Sequence, residues 1–128
     1  MLFDTTFVIH LEREIKRASP GPAHHFLENH PNQPLNVSIV SVAEFAEGYS
    51  SEQEQDCWLA LRRYTVLNLD RDIAWKAAQI SRHLRSAGRA IGDNDLWIAA
   101  TAIHHQLPLV TRNTQHFQRI ADLMLTGY

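Results

Sequence analysis

Leu35-Asn36-Val37-Ser38-Ile39-Val40-Ser41-Val42-Ala43-Glu44-Phe45-Ala46-Glu47-Gly48-Tyr49 changes its hydrophobic period part-way along. Leu35 to Val40 alternates polar with apolar and is rich in β-branched residues, the pattern of a strand. Ser41 stands where a helix cap is wanted, and Val42 to Tyr49 reads as a helix. A strand handing directly to a helix is the repeating unit of an α/β sheet.

The same alternation continues outward in both directions. Upstream, Leu2-Phe3-Asp4 is a short strand, and Phe7, Val8, Leu11 and Ile15 share one face of a helix that Ser19-Pro20-Gly21-Pro22 breaks. Ala23 to His30 forms a further helix, and Pro31 to Pro34 a loop. Downstream, a helix runs through Trp58, Leu59 and Leu61 after the polar break Ser50-Ser51. Thr65 to Leu69 is a strand, and Asp70 caps a helix carrying Ile73, Ala77, Ile80 and Leu84 that Gly88 ends. Leu96, Ala99, Ala100 and Ile103 mark another helix, and Leu107 to Thr111 another strand. Phe117 and Ile120 anchor a last helix, with Leu123 to Leu125 as an edge strand. Strands separated by helices pair in parallel, so the expected fold is a three-layer α/β/α sandwich on a mostly parallel sheet. Strand order is not legible from this pattern.

With 128 residues the chain is expected to form one domain, residues 1–128, with a core large enough to need no staples. Its one cysteine, Cys57, excludes an internal disulfide framework. No signal peptide opens the chain and no apolar run reaches membrane-spanning length, which gives a cytoplasmic expectation. The net charge of -2 does not mark a nucleic-acid binder, but it leaves room for a local basic face.

Ligands of an open parallel sheet bind beyond the carboxyl ends of its strands. The polar residues at those junctions are Asp4, Glu44, Asp93, Asp95 and Asn113. Each has a purely local explanation. Asp4 can cap the first helix, Ser41-Val42-Ala43-Glu44 matches a capping box, Asp93 is a natural N-cap, Asp95 complements a helix dipole and Asn113 can cap the last helix. Local capping does not explain why acids recur at several junctions of one sheet edge.

Four segments carry a resemblance. Met1 to Ile9, with Asp4 after the first strand, is similar to the opening of PIN-domain proteins. Ser38 to Glu44 resembles that family's second motif, Ile91-Gly92-Asp93-Asn94-Asp95-Leu96-Trp97 to Ala102 its third, and Leu109-Val110-Thr111-Arg112-Asn113-Thr114-Gln115-His116-Phe117 its fourth. They occur in order across nearly the whole chain, and the nearest likeness within the family is to the VapC-like toxins. Two positions depart from the family pattern. Thr6 stands where Asn is usual, and Asn113 where many members have Asp, so the fourth junction brings no charge.

The resemblance implies a metal-dependent endoribonuclease, the toxin of a toxin–antitoxin pair. Converging carboxylates repel one another until a cation joins them, and hard oxygen donors suit Mg²⁺ or Mn²⁺. Asp4, Glu44 and Asp95 are the expected metal ligands, with Glu44 completing the shell or accepting the proton of the attacking water. Asn113 joins them as the fourth catalytic residue by orienting a water. Asp93, Thr5 and Thr111 form a second tier. Between Leu61 and Ala90 seven basic residues face two acids, and Arg112 and Arg119 follow, so phosphate contacts have candidates. Arg85, Arg89 and Arg112 are singled out for RNA because they adjoin the motif loops.

Expected partners are RNA, a cognate antitoxin whose basic residue would satisfy the acids as a metal does, and a second copy of the chain through the apolar positions between Phe45 and Leu61. The eight histidines lack metal-site spacing, and His116 is expected at the surface. Trp58, Trp75 and Trp97 suit core or interface packing, and Cys57 a buried thiol rather than a nucleophile. Three alternatives stand beside the nuclease. A PIN fold that binds RNA or protein without cutting is favoured by Thr6 and Asn113. A phosphatase using Asp4 as nucleophile would want a second Asp at position 6. A DNA nuclease would use the same phosphodiester chemistry.

Overall fold

A computed structural model describes residues 1–128. Its first half contains β1 (Leu2–Phe3), α1 (Thr5–Lys16), α2 (Pro22–Asn29), β2 (Asn36–Ser38) and α3 (Ile39–Ala46). A 3₁₀ turn at Ser51–Gln53 then leads into α4 (Glu54–Leu61) and β3 (Thr65–Leu67). The second half holds α5 (Arg71–Ser86), α6 (Asp93–His104), β4 (Leu109–Val110), α7 (Thr114–Phe117) and β5 (Leu125–Thr126). The strands form one sheet in the order β3-β2-β1-β4-β5, and every pair is parallel. The expected sandwich is present, with a sheet that is wholly parallel.

Two-residue periodicity makes the layers. Leu2 and Leu109 face one core with Leu84, Ile98, Ala99, Ala102, Phe117 and Ile120, so α5, α6 and α7 cover that side. Their neighbours Phe3 and Val110 face the other, with Phe7, Leu11, Phe26, Val42, Phe45 and Leu61 from α1 to α4. A strand buried on both faces reads as a continuous apolar run, as Leu2-Phe3 and Leu109-Val110 do. Ala77 and Ala100 let α5 and α6 approach closely around Ile73 and Leu96.

β1 lies at the centre of the sheet. The chain leaves it through β2 and β3 on one side, then returns past it to β4 and β5 on the other. The strand order therefore reverses between β1 and β4, which opens a crevice beyond their carboxyl ends. Register fixes what stands there. Phe3 pairs with Val110, and the Asp4 N–H donates to the Val110 carbonyl at 3.1 Å, so Asp4 and Thr111 emerge side by side.

Several local expectations are corrected. β2 ends at Ser38, and α3 starts at Ile39, because the Ser38 hydroxyl accepts the Val40 N–H at 3.2 Å and caps the helix there. Ile39 and Val40 are helical despite their β-branched side chains, since packing overrides propensity. Ser41 is then an interior helical residue, buried, with a hydroxyl that has no partner. No Ser41–Glu44 capping box forms, and Glu44 sits beyond the first turn. Gly92, not Asp93, holds the N-cap position of α6, and the Asn113 side chain does not cap α7. Ile15 is exposed rather than packed inside, and the exposure of Trp58 and Trp75 removes the core reading of them but not the interface one.

One carboxylate organises the turn between α1 and α2. Gly21 has no side chain to cap α2, and Glu14 reaches over to accept the N–H groups of Gly21, Ala23 and His24 at 3.0, 3.2 and 2.8 Å. A Cβ at Gly21 would stand 2.7 Å from Glu14 Oε1, so a side chain there would push the Glu14 carboxylate out of its present position. Desolvation alone would raise the Glu14 carboxyl, but the three N–H groups outweigh it and hold it below the usual range. Its stabilisation is therefore complete above the unfolded glutamate range and is lost as pH falls through the lower folded value. Glu14→Ala is expected to cost about 1–2 kcal/mol at neutral pH in urea denaturation. The difference from the wild-type protein should shrink in acid; a gap that stays constant down to pH 3 would contradict the assignment.

Candidate active site

Asp4 follows β1, is 7% exposed, and does two jobs. Its Oδ1 accepts the Phe7 N–H at 2.8 Å and so caps α1, while the rest of the carboxylate faces the crevice. Burial pushes the carboxyl up, and the charges of Asp95 and Glu44 push it further; the Thr111 hydroxyl and the Phe7 N–H act in the opposite sense. Local capping and membership of an acidic group are thus both true of this residue.

Glu44 is brought to Asp4 by α3. The Thr5 hydroxyl donates to Glu44 Oε1 at 2.5 Å, across 39 residues of sequence. Starting α3 at Ile39 is what turns Glu44 away from its own backbone and toward Thr5. Asp95, in the first turn of α6, is held by α7, where His116 Nε2 lies 3.0 Å from Asp95 Oδ2. Thr111, fully buried, accepts the Asn113 N–H at 3.0 Å and thereby fixes the loop that follows β4.

The fold therefore gathers Asp4, Glu44 and Asp95 into one electrostatically linked group braced by Thr5 and Thr111. Asn113 enters the arrangement through its backbone. Asp93 is exposed and lines a small cleft with Arg85 and Ser81, a cleft that Asp4 does not line. Arg89 lines another cleft. Arg112 lies with its guanidinium carbon 5.0 Å from the centre of the Tyr128 ring, whose hydroxyl pairs with His10 at 2.9 Å. Burial, and next the nearby charge of Asp4, push the Tyr128 phenol up, which places that ring at the edge of the site. On the Glu44 side, an open cleft of about 730 Å³ carries Arg13, Lys16 and Arg17 on its wall.

Sequence reading missed the His116–Asp95 pair and the Tyr128 wall. The family-like fourth segment contained His116, but no spacing rule links residues 21 apart on different helices. Tyr128 had no signal at all, since only parallel pairing of β5 with β4 carries it back to Phe7 and Arg112.

The donor set is oxygen-rich and matches a hard divalent cation. A cation would offset the burial penalty that chiefly raises Asp4, and with it the smaller repulsion from Asp95 and Glu44. Glu44 and Asp95 are each turned toward a partner, and no three ligating side chains close around one point. An ion held here would have to keep much of its water.

The acidic group stands at the strand-order reversal of a parallel α/β sheet, where folds of this class bind their ligands. Residues 1–123 match the PIN domain family, and the chain belongs to it. Ribonuclease VapC1 of Haemophilus influenzae (strain R2866) is 31% identical over 127 residues, spanning 95% of this chain and 92% of that protein. The structure of VapBC2 from Rickettsia felis, bound to a DNA fragment from their promoter, superposes with a TM-score of 0.83 at 26% identity, covering 99% of this chain and 97% of the other. A toxin–antitoxin complex from Klebsiella pneumoniae gives a TM-score of 0.71 at 30% identity, covering 96% and 94%. No helix is long and apolar enough to cross a membrane.

Proposed function

We propose that this chain is an endoribonuclease, the toxin of a toxin–antitoxin pair, and that it works with Mg²⁺ or Mn²⁺. The observation that carries the reading is the buried Asp4 carboxylate, raised by burial and by Asp95 and Glu44, at the strand-order reversal of a PIN-family sheet. The likeness over nearly the whole chain to a protein named a ribonuclease supports RNA as the substrate over DNA.

Asp4, Glu44 and Asp95 would hold the cation, which when bound lowers the pKa of water and neutralises charge on the phosphate. The protein's own groups do the positioning. Thr111 and the Phe7 N–H aim Asp4, Thr5 holds one oxygen of Glu44, and His116 holds Asp95. Glu44 Oε2, the oxygen not engaged by Thr5, accepts the proton of the attacking water. The water oxygen bonds to phosphorus, one ester P–O bond breaks, and the leaving ribose oxygen takes a proton from solvent. Asn113 orients a water through its carboxamide, and Arg85 and Arg112 contact the RNA backbone outside the acids. Rigid bracing of this kind places charge before the reaction begins, which is where catalytic advantage arises.

The antitoxin partner is supported by likeness to the Klebsiella pneumoniae complex; its basic residue would take the place of the cation among the acids. A second copy of the chain would pack on the exposed Trp58 and Leu59. The test is incubation of antitoxin-free protein with a mixed RNA pool, with Mg²⁺ or Mn²⁺ or with EDTA, beside Asp95→Asn. Discrete fragments that require both cation and Asp95 are expected. Uncut RNA with folded, cation-loaded protein would instead support the RNA-binding module.

A further inference from the structure

Beyond the acidic group, the second half of the chain builds a polar cleft of about 500 Å³ from Gly88, Arg89, Gln115, Gln118 and Arg119. No apolar or acidic residue lines it. One wall is the turn that ends α5. Gly88, at φ +66°, donates its N–H to Arg85 at 3.1 Å, and the Arg89 N–H donates to Leu84 at 2.7 Å. This paired closure of a helix end fixes the backbone from which Arg89 projects. The other wall is α7 and the turn after it, anchored by buried Phe117 and Ile120. Arg119 crosses between the walls, its Nη1 donating to the Ala90 carbonyl at 3.4 Å.

The cleft shares no residue with the acidic group and is linked to it along the chain. Gln115 is the chain neighbour of His116, which holds Asp95, and Ala90 lies just before the segment that opens α6. We infer that this cleft is a binding site for the sugar–phosphate backbone of single-stranded RNA, engaging phosphates flanking the scissile bond. The inference rests on the nuclease reading above and specifies where its substrate strand lies. Two guanidiniums supply planar, charge-assisted donors for phosphate oxygens. Two carboxamides, each both donor and acceptor, suit ribose hydroxyls and base edges. The wholly polar lining argues against a peptide, whose docking depends on apolar anchors. A cationic cleft next to an acidic site also answers a physical need, because a polyanion must be held where the catalytic carboxylates repel it.

The experiment measures binding of a fluorescently labelled, twelve-nucleotide single-stranded RNA by anisotropy, in protein carrying Asp4→Asn so that the probe survives. Adding Arg89→Gln and Arg119→Gln together should weaken binding at least about tenfold. It should also flatten the salt dependence by about 1.4 in log K per log salt, from two phosphates at roughly 0.7 each. Gln115→Ala with Gln118→Ala should lower affinity while leaving the salt slope unchanged. Arg62→Gln with Arg71→Gln, equal in charge and remote from the cleft, should have little effect. Unchanged binding in the Arg89/Arg119 variant, or an equal loss in the charge-matched control, would overturn the site. So would competition by an acidic peptide at Arg89 and Arg119 without RNA binding. The two readings fail separately. Wild-type protein that cuts RNA while the cleft variants bind normally removes the cleft and keeps the nuclease. Cleft-dependent binding by a wild-type protein that cuts nothing removes the nuclease and keeps the cleft.

Discussion

Asp4→Asn is expected to lower RNA cleavage at least about a hundredfold while raising the melting temperature of the protein in EDTA. Loss of function and gain of stability come from the same feature. The carboxylate is buried against two other acids, so ionising it in the folded protein is unfavourable. The folded carboxyl lies above the unfolded one. Well below the unfolded range both states are protonated and no penalty exists. As pH rises through the folded value the penalty develops fully, and it persists at neutrality. The stabilisation by Asn should therefore be largest near pH 7 and vanish in acid. Asparagine also retains the α1 cap, because its side-chain oxygen can still accept the Phe7 N–H. Asp4→Ala loses that cap and should gain less, or fall by about 1 kcal/mol. Mg²⁺ should raise the melting temperature of the wild-type protein by mass action and leave Asp4→Asn unmoved. Differential scanning fluorimetry across pH, with and without Mg²⁺, reads all of this. A lower melting temperature for Asp4→Asn at pH 7 would show that the charge is satisfied within the protein alone.

Phe7→Ala should cost about 3–5 kcal/mol, a large share of the stability of a domain this size. Phe7 is fully buried, and its ring centroid lies 4.4 Å from Phe3, 4.7 Å from Tyr128 and 5.8 Å from Phe26. Those rings come from β1, α2 and the segment after β5, so one side chain joins distant parts of the chain. Truncation leaves a cavity among stiff aromatic groups that collapse poorly. Urea denaturation followed by far-UV circular dichroism measures the loss, and Phe7→Leu should retain much of the stability. A cost below about 1 kcal/mol for the alanine variant would mean that the cluster closes over the gap. The backbone N–H at position 7 that holds Asp4 survives the truncation, so cleavage by the folded fraction should fall less than stability does.

Hydrophobic period and capping residues located nearly every element, because both act over a few neighbouring residues. Leu2-Phe3 and Leu109-Val110 read as buried strands, and Asp70 does cap α5, accepting the Ile73 N–H at 2.9 Å. Boundaries were less secure wherever packing outweighed local preference. Ile39 and Val40 look like strand and are helix, since the Ser38 hydroxyl and the core against α3 decide the start. Trp75, on a helix face that periodicity alone would allow inside, is 69% exposed.

The acids themselves were legible because they sit at strand-to-helix junctions within ordered motifs. Their geometry was not. Residue type and short-range period were enough to read an alternating α/β chain with Asp4, Glu44 and Asp95 at one edge of its sheet. Long-range packing set the rest: β1 lies central beside β4, Thr5 braces Glu44, His116 braces Asp95, and Tyr128 closes one side of the site. Those outcomes depend on strand order and on contacts between residues as many as 118 apart, such as His10 with Tyr128, and such pairings leave no local period to read.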